Sequence, residues 1–353
     1  MSKSRQHHAP RAICIVRLSA LGDVLMLVPL IRTLQHHFPH ASITWVISRP
    51  AYDLVAGMTG VEFIVIDKPQ SILDYWRFKQ KMRHRCFDVL LATQSSFRAN
   101  LLYPLIKAHL KIGFDALRAK DGHQWFIDET ILPGQDHTAD GFLKFATHLG
   151  AVPPCIRWDL PIDAQAVNWA KNHLPQGEGP ILLVNPAASK PERTWVLERY
   201  IAVIAYAQKQ WNARVILTGG PGPYDRSLGD AIAAEVEVTN LIGQTKPMQL
   251  LALIQAADVL LCPDTGPSHM AAAVNTPVVA LHAVTSSQVS GPYTFRHYCV
   301  DYYPQAVCEI LKKTPATNVW GTHAHGPLTM RLIPVDAVIQ QLTKVLMSNR
   351  PND

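Results

Sequence analysis

The chain has 353 residues, 48% hydrophobic and 17% charged, an ordinary globular composition that suits two domains with separate cores and argues against disorder as the default. With 33 basic residues against 27 acidic ones the net charge is +6, which favours an anionic ligand or an anionic membrane surface. The longest apolar stretches, such as 24–28 and 277–282, fall far short of the ~20 residues of a membrane span, so no transmembrane helix is expected.

In chain order, a basic N-terminus leads into an apolar, β-branched run at 12–16, the signature of a buried parallel strand. Arg17 and Asp23 break the apolar character just after this run, so a secretory leader is not expected and the protein is placed in the cytoplasm. A turn and a helix over 24–37 come next, then strands at 42–47 and 61–66 around a short helix at 52–56. A strand at 87–92, a helix over 96–109, a short strand at 111–114 and a helix over 137–149 complete the first series. The stretch 173–180, rich in Pro, Gly and polar residues, reads as a linker. Strands at 181–184, 214–218, 259–261 and 278–281 with intervening helices form a second series, and an amphipathic helix over 335–347 closes the chain. Alternation of this kind predicts an α/β protein of two Rossmann-like α/β/α domains facing a central cleft, with ligands outside the carboxyl ends of the strands. The expected bounds are 1–172 for the first domain and 173–333 for the second, with 334–353 as a helix packing back on the first.

Six cysteines without a CxxC pair read as reduced thiols. Sixteen histidines include the neighbours His7-His8 and His36-His37 and the alternating His323 and His325, spacings that suit a surface better than a metal, so no metal site is expected. Between Lys68 and Lys120 bases greatly outnumber acids. That cluster reads either as a solvated helix face or as a surface for an anionic partner.

The most informative segment runs from Cys262 to Pro277, where an apolar strand meets Asp264, Thr265, Gly266 and a helix start. Free N–H groups at such a start hold an anion, and a nucleotide diphosphate fits. Asp264 would repel phosphate, so ribose hydroxyls, backbone N–H groups or a developing positive charge suit it better. His269 faces the same mouth and suits donation to a phosphate oxygen. Ser189, with Lys190 and Arg193, comes after the strand at 181–184 and is placed for phosphate contact, a guanidinium being able to hold a departing diphosphate. The alternative is a surface helix start over a packed Trp195. Asp23, in the first strand-to-helix turn, suits either a helix cap or a general base. Thr218-Gly-Gly-Pro-Gly222 is not a full GxGxxG, which weakens a dinucleotide reading.

The motifs Ile15-Val-Arg-Leu-Ser-Ala-Leu-Gly-Asp-Val24, Gln94-Ser-Ser-Phe-Arg98, Ile112-Gly-Phe114, Asn185 through Trp195, Leu217-Thr-Gly-Gly220, Leu241-Ile-Gly-Gln-Thr245 and Pro263-Asp-Thr-Gly-Pro-Ser-His269 occur in order. Together they resemble those of the ADP-heptose:lipopolysaccharide heptosyltransferases, glycosyltransferase family 9. The resemblance implies a GT-B fold and metal-independent, inverting transfer of heptose from ADP-L-glycero-D-manno-heptose to the Kdo/heptose inner core of lipopolysaccharide, most like the first heptosyltransferase. It implies Asp23 as base and Arg193, where many members have a lysine, as the leaving-group cation, with Lys190 able to share that role. Ser189, Lys190, Thr245, Asp264, Thr265, Gly266 and His269 would contact the donor, and Gln94 and Arg98 the acceptor. No cofactor beyond the ADP-sugar and no nucleic acid is expected. The implied partners are Kdo–lipid A or inner-core acceptor and the anionic inner-membrane surface, to which the enzyme would attach peripherally. A nucleotide-dependent oxidoreductase and a non-catalytic anionic-glycolipid-binding protein stay open as alternatives.

Overall fold

The computed structural model describes residues 9–348; the basic start with His7-His8 and the last five residues lie outside them. The chain divides into two units, 1–161 and 162–353.

The first unit carries six parallel strands: β1 (Ala12–Val16), β2 (Ser42–Ser48), β3 (Val61–Ile66), β4 (Phe87–Ala92), β5 (Ala108–Gly113) and β6 (Glu129–Thr130). They lie in the order β3-β2-β1-β4-β5-β6. Helices α1 (Leu21–His37), α2 (Arg49–Tyr52), α3 (Ile72–Met82), α4 (Phe97–Asn100) and α5 (Thr138–His148) connect or succeed them. Strand β1 is apolar on both faces because both are covered, and only Ala12 at its start is partly exposed. Beneath one face Cys14, Val16, Phe78, Leu90 and Tyr103 pack into a single core.

The second unit repeats the plan with β7 (Ile181–Val184), β8 (Arg214–Leu217), β9 (Thr239–Asn240), β10 (Val259–Pro263), β11 (Val278–His282) and β12 (Val300–Asp301), all parallel. Their order is β12-β11-β10-β7-β8-β9. Its helices are α6 (Ala164–His173), α7 (Leu197–Trp211), α8 (Pro223–Ala233), α9 (Pro247–Ala256), α10 (Gly266–Ala273), α11 (Ser287–Ser290), α12 (Tyr303–Glu309) and α13 (Val335–Ser348). In each unit the strand order reverses beside the first strand, at β1/β4 and at β7/β10, and there the connections leave in opposite directions and open a crevice.

Three expectations change. The units divide ahead of α6, not after it, because 173–180 is pinned rather than a linker. Arg214 donates to the carbonyls of Gly179 (2.7 Å) and Pro175 (2.6 Å), and a Cβ on Gly179 would sit 1.8 Å from the Asn212 carbonyl oxygen. The first unit ends instead where Arg32 holds the carbonyls of Trp158 (3.1 Å) and Asp159 (2.9 Å) and the Trp158 indole donates to the Leu25 carbonyl (2.8 Å). Second, α13 packs into the core of the second unit. Val338, Leu342 and Val345, spaced along one helical face, are fully buried in the core that includes Trp195 and Val279. Third, the helix expected over 96–109 stops at Asn100. Pro104 sits in a 3-10 turn (Tyr103–Leu105), and the chain then enters β5, pairing Ala108 with Phe87.

Candidate active site

In the first unit, the β1/β4 crevice is bridged by side chains. The Leu18 N–H donates to Gln94 Oε1 (2.7 Å), Arg17 Nη1 donates to the Thr93 carbonyl (2.7 Å), and the Thr93 hydroxyl donates to the Val16 carbonyl (2.9 Å). Arg17 lies over the Phe142 ring at 5.2 Å and forms an ion pair with Asp23. Asp23 is in the first turn of α1, where its carboxylate also accepts the Ala20 N–H (3.1 Å). The helix-cap role is seen in Oδ2, which is used for capping and pairing, while the side chain keeps about a third of its surface open (31%). Gln94 is turned inward as a brace, its Nε2 reaching Ser96 Oγ (3.3 Å) and its carbonyl accepting the Tyr103 hydroxyl. Arg98, on α4, is exposed.

In the second unit, β7 runs into a loop that the Thr194 hydroxyl closes by accepting the Ala188 N–H (3.1 Å). Trp195 is buried behind it, its indole donating to the Ile333 carbonyl (3.1 Å), so the 3-10 turn Pro191–Arg193 has a fixed base. From that turn Arg193 donates through Nη2 to Ser189 Oγ (2.7 Å) and through Nη1 to Asp264 Oδ2 (3.3 Å). The same carboxylate oxygen accepts the Thr285 hydroxyl at 2.6 Å. Since the Thr285 proton goes to Asp264, the imidazole of His282, 3.3 Å from that hydroxyl, donates from Nδ1. Asp264 is only 7% exposed. Burial works against its charge, yet His282, the Thr285 hydrogen bond, His269 and Arg193 outweigh it and hold the carboxyl below its ordinary range. Its Oδ2 is turned inward, onto Arg193 and Thr285.

Thr265 and Gly266 open α10 at the β10 carboxyl end, both half-exposed. The Thr265 carbonyl accepts the Ser268 N–H (3.1 Å) and hydroxyl (2.8 Å), and its own hydroxyl makes no capping bond. His269, in the first turn of α10, is buried and acts on the charge of Asp264. Lys190 is exposed beside Ser189. The structure thus brings Ser189, Arg193 and Asp264 into one hydrogen-bonded group and places Thr265, Gly266 and His269 directly after Asp264. Thr245 stands apart, on the loop after β9 at the sheet edge.

Sequence reading missed Arg17, Thr285 and His323. The imidazole of His323 is pushed down by burial and further by His325, Arg193 and Lys190, with Asp264 opposing. Its loop is tied to the Arg193 turn through His325, which donates to Glu192 (2.6 Å). Read as a surface pair, these histidines gave no local signal of that contact. Thr285 had one signal, its position just past the carboxyl end of β11. Among the described residues no group of three His, Cys, Asp or Glu side chains is placed to hold a metal ion.

The family model for glycosyltransferase family 9 (heptosyltransferase) matches residues 75–317. The chain is 32% identical to the lipopolysaccharide core heptosyltransferase OpsX of Haemophilus influenzae, over 96% of this chain and 97% of that protein. Among solved structures, the glycosyl transferase family 9 protein of Veillonella parvula superposes with a TM-score of 0.78 at 19% identity, covering 96% of this chain and 98% of that one. Heptosyltransferase WaaC of E. coli, solved with ADP, gives a TM-score of 0.72 at 18% identity, covering 95% and 99%. With the doubled Rossmann-like units of a GT-B fold and this extent of similarity, the chain belongs to glycosyltransferase family 9, the heptosyltransferases, and is a glycosyltransferase.

Proposed function

We propose that the protein transfers heptose from ADP-L-glycero-D-manno-heptose to the Kdo/heptose inner core of lipopolysaccharide, with inversion and without a metal, in the manner of the first heptosyltransferase. The observation that carries this reading is the Arg193 guanidinium, anchored by Asp264 and Ser189 next to the start of α10. A preorganised cation and helix N–H groups suit a leaving diphosphate, because they stabilise charge that grows only as the sugar–phosphate bond breaks. In this reading the acceptor hydroxyl loses its proton to Asp23 and its oxygen bonds to the anomeric carbon. The bond from that carbon to the diphosphate breaks, and ADP leaves with the electron pair. Lys190 and His269 serve the diphosphate, Thr265 and Gly266 supply the hydroxyl and backbone, and Thr245 lies on the nucleoside side. Arg98 meets acceptor anions, and Gln94 contributes by bracing the crevice around Asp23.

The similarity to OpsX and to the ADP-bound E. coli enzyme supports the donor and acceptor classes. Among the described residues no helix is long and apolar enough to cross a membrane, which fits the proposed cytoplasmic enzyme attached to the anionic inner-membrane surface. Incubating the protein with ADP-heptose and a panel of truncated lipid A acceptors, read by mass spectrometry, tests the reading. One added heptose on an acceptor ending in Kdo is expected; failure to add heptose to any member would overturn it.

A further inference from the structure

Helix α3 is amphipathic in a way its packing does not use up. Phe78 and Met82 are buried and Tyr75 packs against the core beside them. An adjoining stripe, at i, i+4, i+7 and i+11, is Ile72, Trp76, Lys79 and the C-cap residue Arg83, all exposed. Ile72 is 89% and Trp76 56% exposed. An apolar first turn facing water calls for something to cover it.

The stripe does not end with the helix. The Tyr75 hydroxyl donates to the Arg98 carbonyl (3.3 Å), tying α3 to α4, and the Phe97 N–H donates to Asp121 (2.9 Å), tying α4 to the loop beyond β5. Phe97 on α4 and Trp125 on that loop are 63% and 79% exposed. These segments come after β3, β4 and β5, so the exposed aromatic rings gather at the carboxyl end of the sheet, the end where Asp23 lies.

The charges around this margin are unequal. Two of its acids are engaged by backbone, Asp74 accepting the N–H groups of Gln70 and Ser71 (3.0 Å each) and Asp121 that of Phe97, while Asp67, just after β3, is exposed. Among the described residues Lys79, Arg83, Arg98 and Lys120 have no carboxylate partner. Aromatic and aliphatic side chains beside unneutralised cations on one helix stripe match an anionic lipid surface, where rings enter the headgroup region and ammonium and guanidinium groups meet phosphate. We propose that the Ile72/Trp76/Lys79/Arg83 stripe, continued by Phe97 and Trp125, is a docking surface for an anionic phospholipid bilayer. The inference rests on the membrane attachment proposed above and names the face that makes it.

The test is co-sedimentation of the full-length protein with vesicles of phosphatidylglycerol and phosphatidylcholine in a one-to-two ratio, against phosphatidylcholine alone. Neither donor nor acceptor is present, so this result and the transfer assay fail independently. The wild type is expected to bind the mixed vesicles, less at high salt, and to bind neutral ones weakly. Lys79→Gln with Arg83→Gln should lower partitioning about 30-fold, about fivefold per cation. Ile72→Ser with Trp76→Ser should lower it by at least about tenfold. Transfer to a soluble, deacylated acceptor should be unchanged in both. The emission difference between wild type and Trp76→Phe, which does not depend on either double variant folding, should shift to the blue on mixed vesicles. A wild type that ignores phosphatidylglycerol, or variants that bind as it does, would overturn the proposal.

Discussion

Replacing Asp264 by Ala removes the anchor of Arg193 without touching the guanidinium. At 3.3 Å the pair attracts by about 5 kcal/mol at an effective dielectric constant of about 20. Desolvation of two groups this enclosed cancels much of that, leaving a coupling on the order of 1–3 kcal/mol. The alanine variant also strands a cation whose Nε is already buried without a hydrogen-bond partner, so Arg193 should leave its place beside Ser189. The expected loss in kcat is about 100-fold or more, the scale seen when a preorganised charge stabiliser is lost. The assay is a double-mutant cycle with Asp264→Ala, Arg193→Ala and both, measured as kcat for heptose transfer and as Kd for ADP. Once Asp264 is gone, Arg193→Ala should cost at least about fivefold less than in the wild type. Additive effects would show that the two act separately and would refute the anchoring argument.

Asp23→Asn should reduce kcat by about 100-fold to 10,000-fold with ADP affinity nearly unchanged by calorimetry, and an active variant would remove Asp23 as base. Thr285→Val deletes the hydroxyl that donates to Asp264 and should lower kcat more than it raises donor KM, whereas Thr285→Ser should restore most of the loss. His123 accepts the Phe114 N–H at Nε2 (3.1 Å) and donates from Nδ1 to Asn100 (2.8 Å), and burial pulls its pKa down from 6.5 to about 4. The unfolded chain therefore binds this proton first, and the first unit should lose stability as pH falls from 6.5 toward 4. The loss has a ceiling of about 3 kcal/mol and is on the order of 2 once solvent screening is allowed for. Urea unfolding of wild type against His123→Gln should show the steeper acid dependence in the wild type; equal slopes would contradict it.

Strands were the most legible part of the chain, because a buried parallel strand such as Ile181–Val184 must be apolar on both faces and is short and bounded by turn residues. Residues just beyond strand ends are legible for the same reason, as Asp23, Ser189 and Asp264 are. What each of them touches is not. The Arg193–Asp264–Thr285 group joins three connections, after β7, β10 and β11, and no local pattern encodes which side chains meet across them. Asp264 is turned onto Arg193 and Thr285 because a buried carboxylate needs partners, and its motif does not name them. The linker was misread on composition: Pro and Gly at 173–180 serve a tight approach to Asn212, a long-range requirement. Likewise the stripe on α13 was visible as amphipathic, but periodicity names a face without naming what covers it.

The central claim is that Ser189, Arg193 and the start of α10 hold the donor's diphosphate. A crystal structure with ADP tests it most directly. The account predicts the β-phosphate within hydrogen-bond distance of the Arg193 guanidinium, Ser189 Oγ and the N–H groups at Gly266 and beyond. ADP bound with its phosphates away from these groups would contradict it.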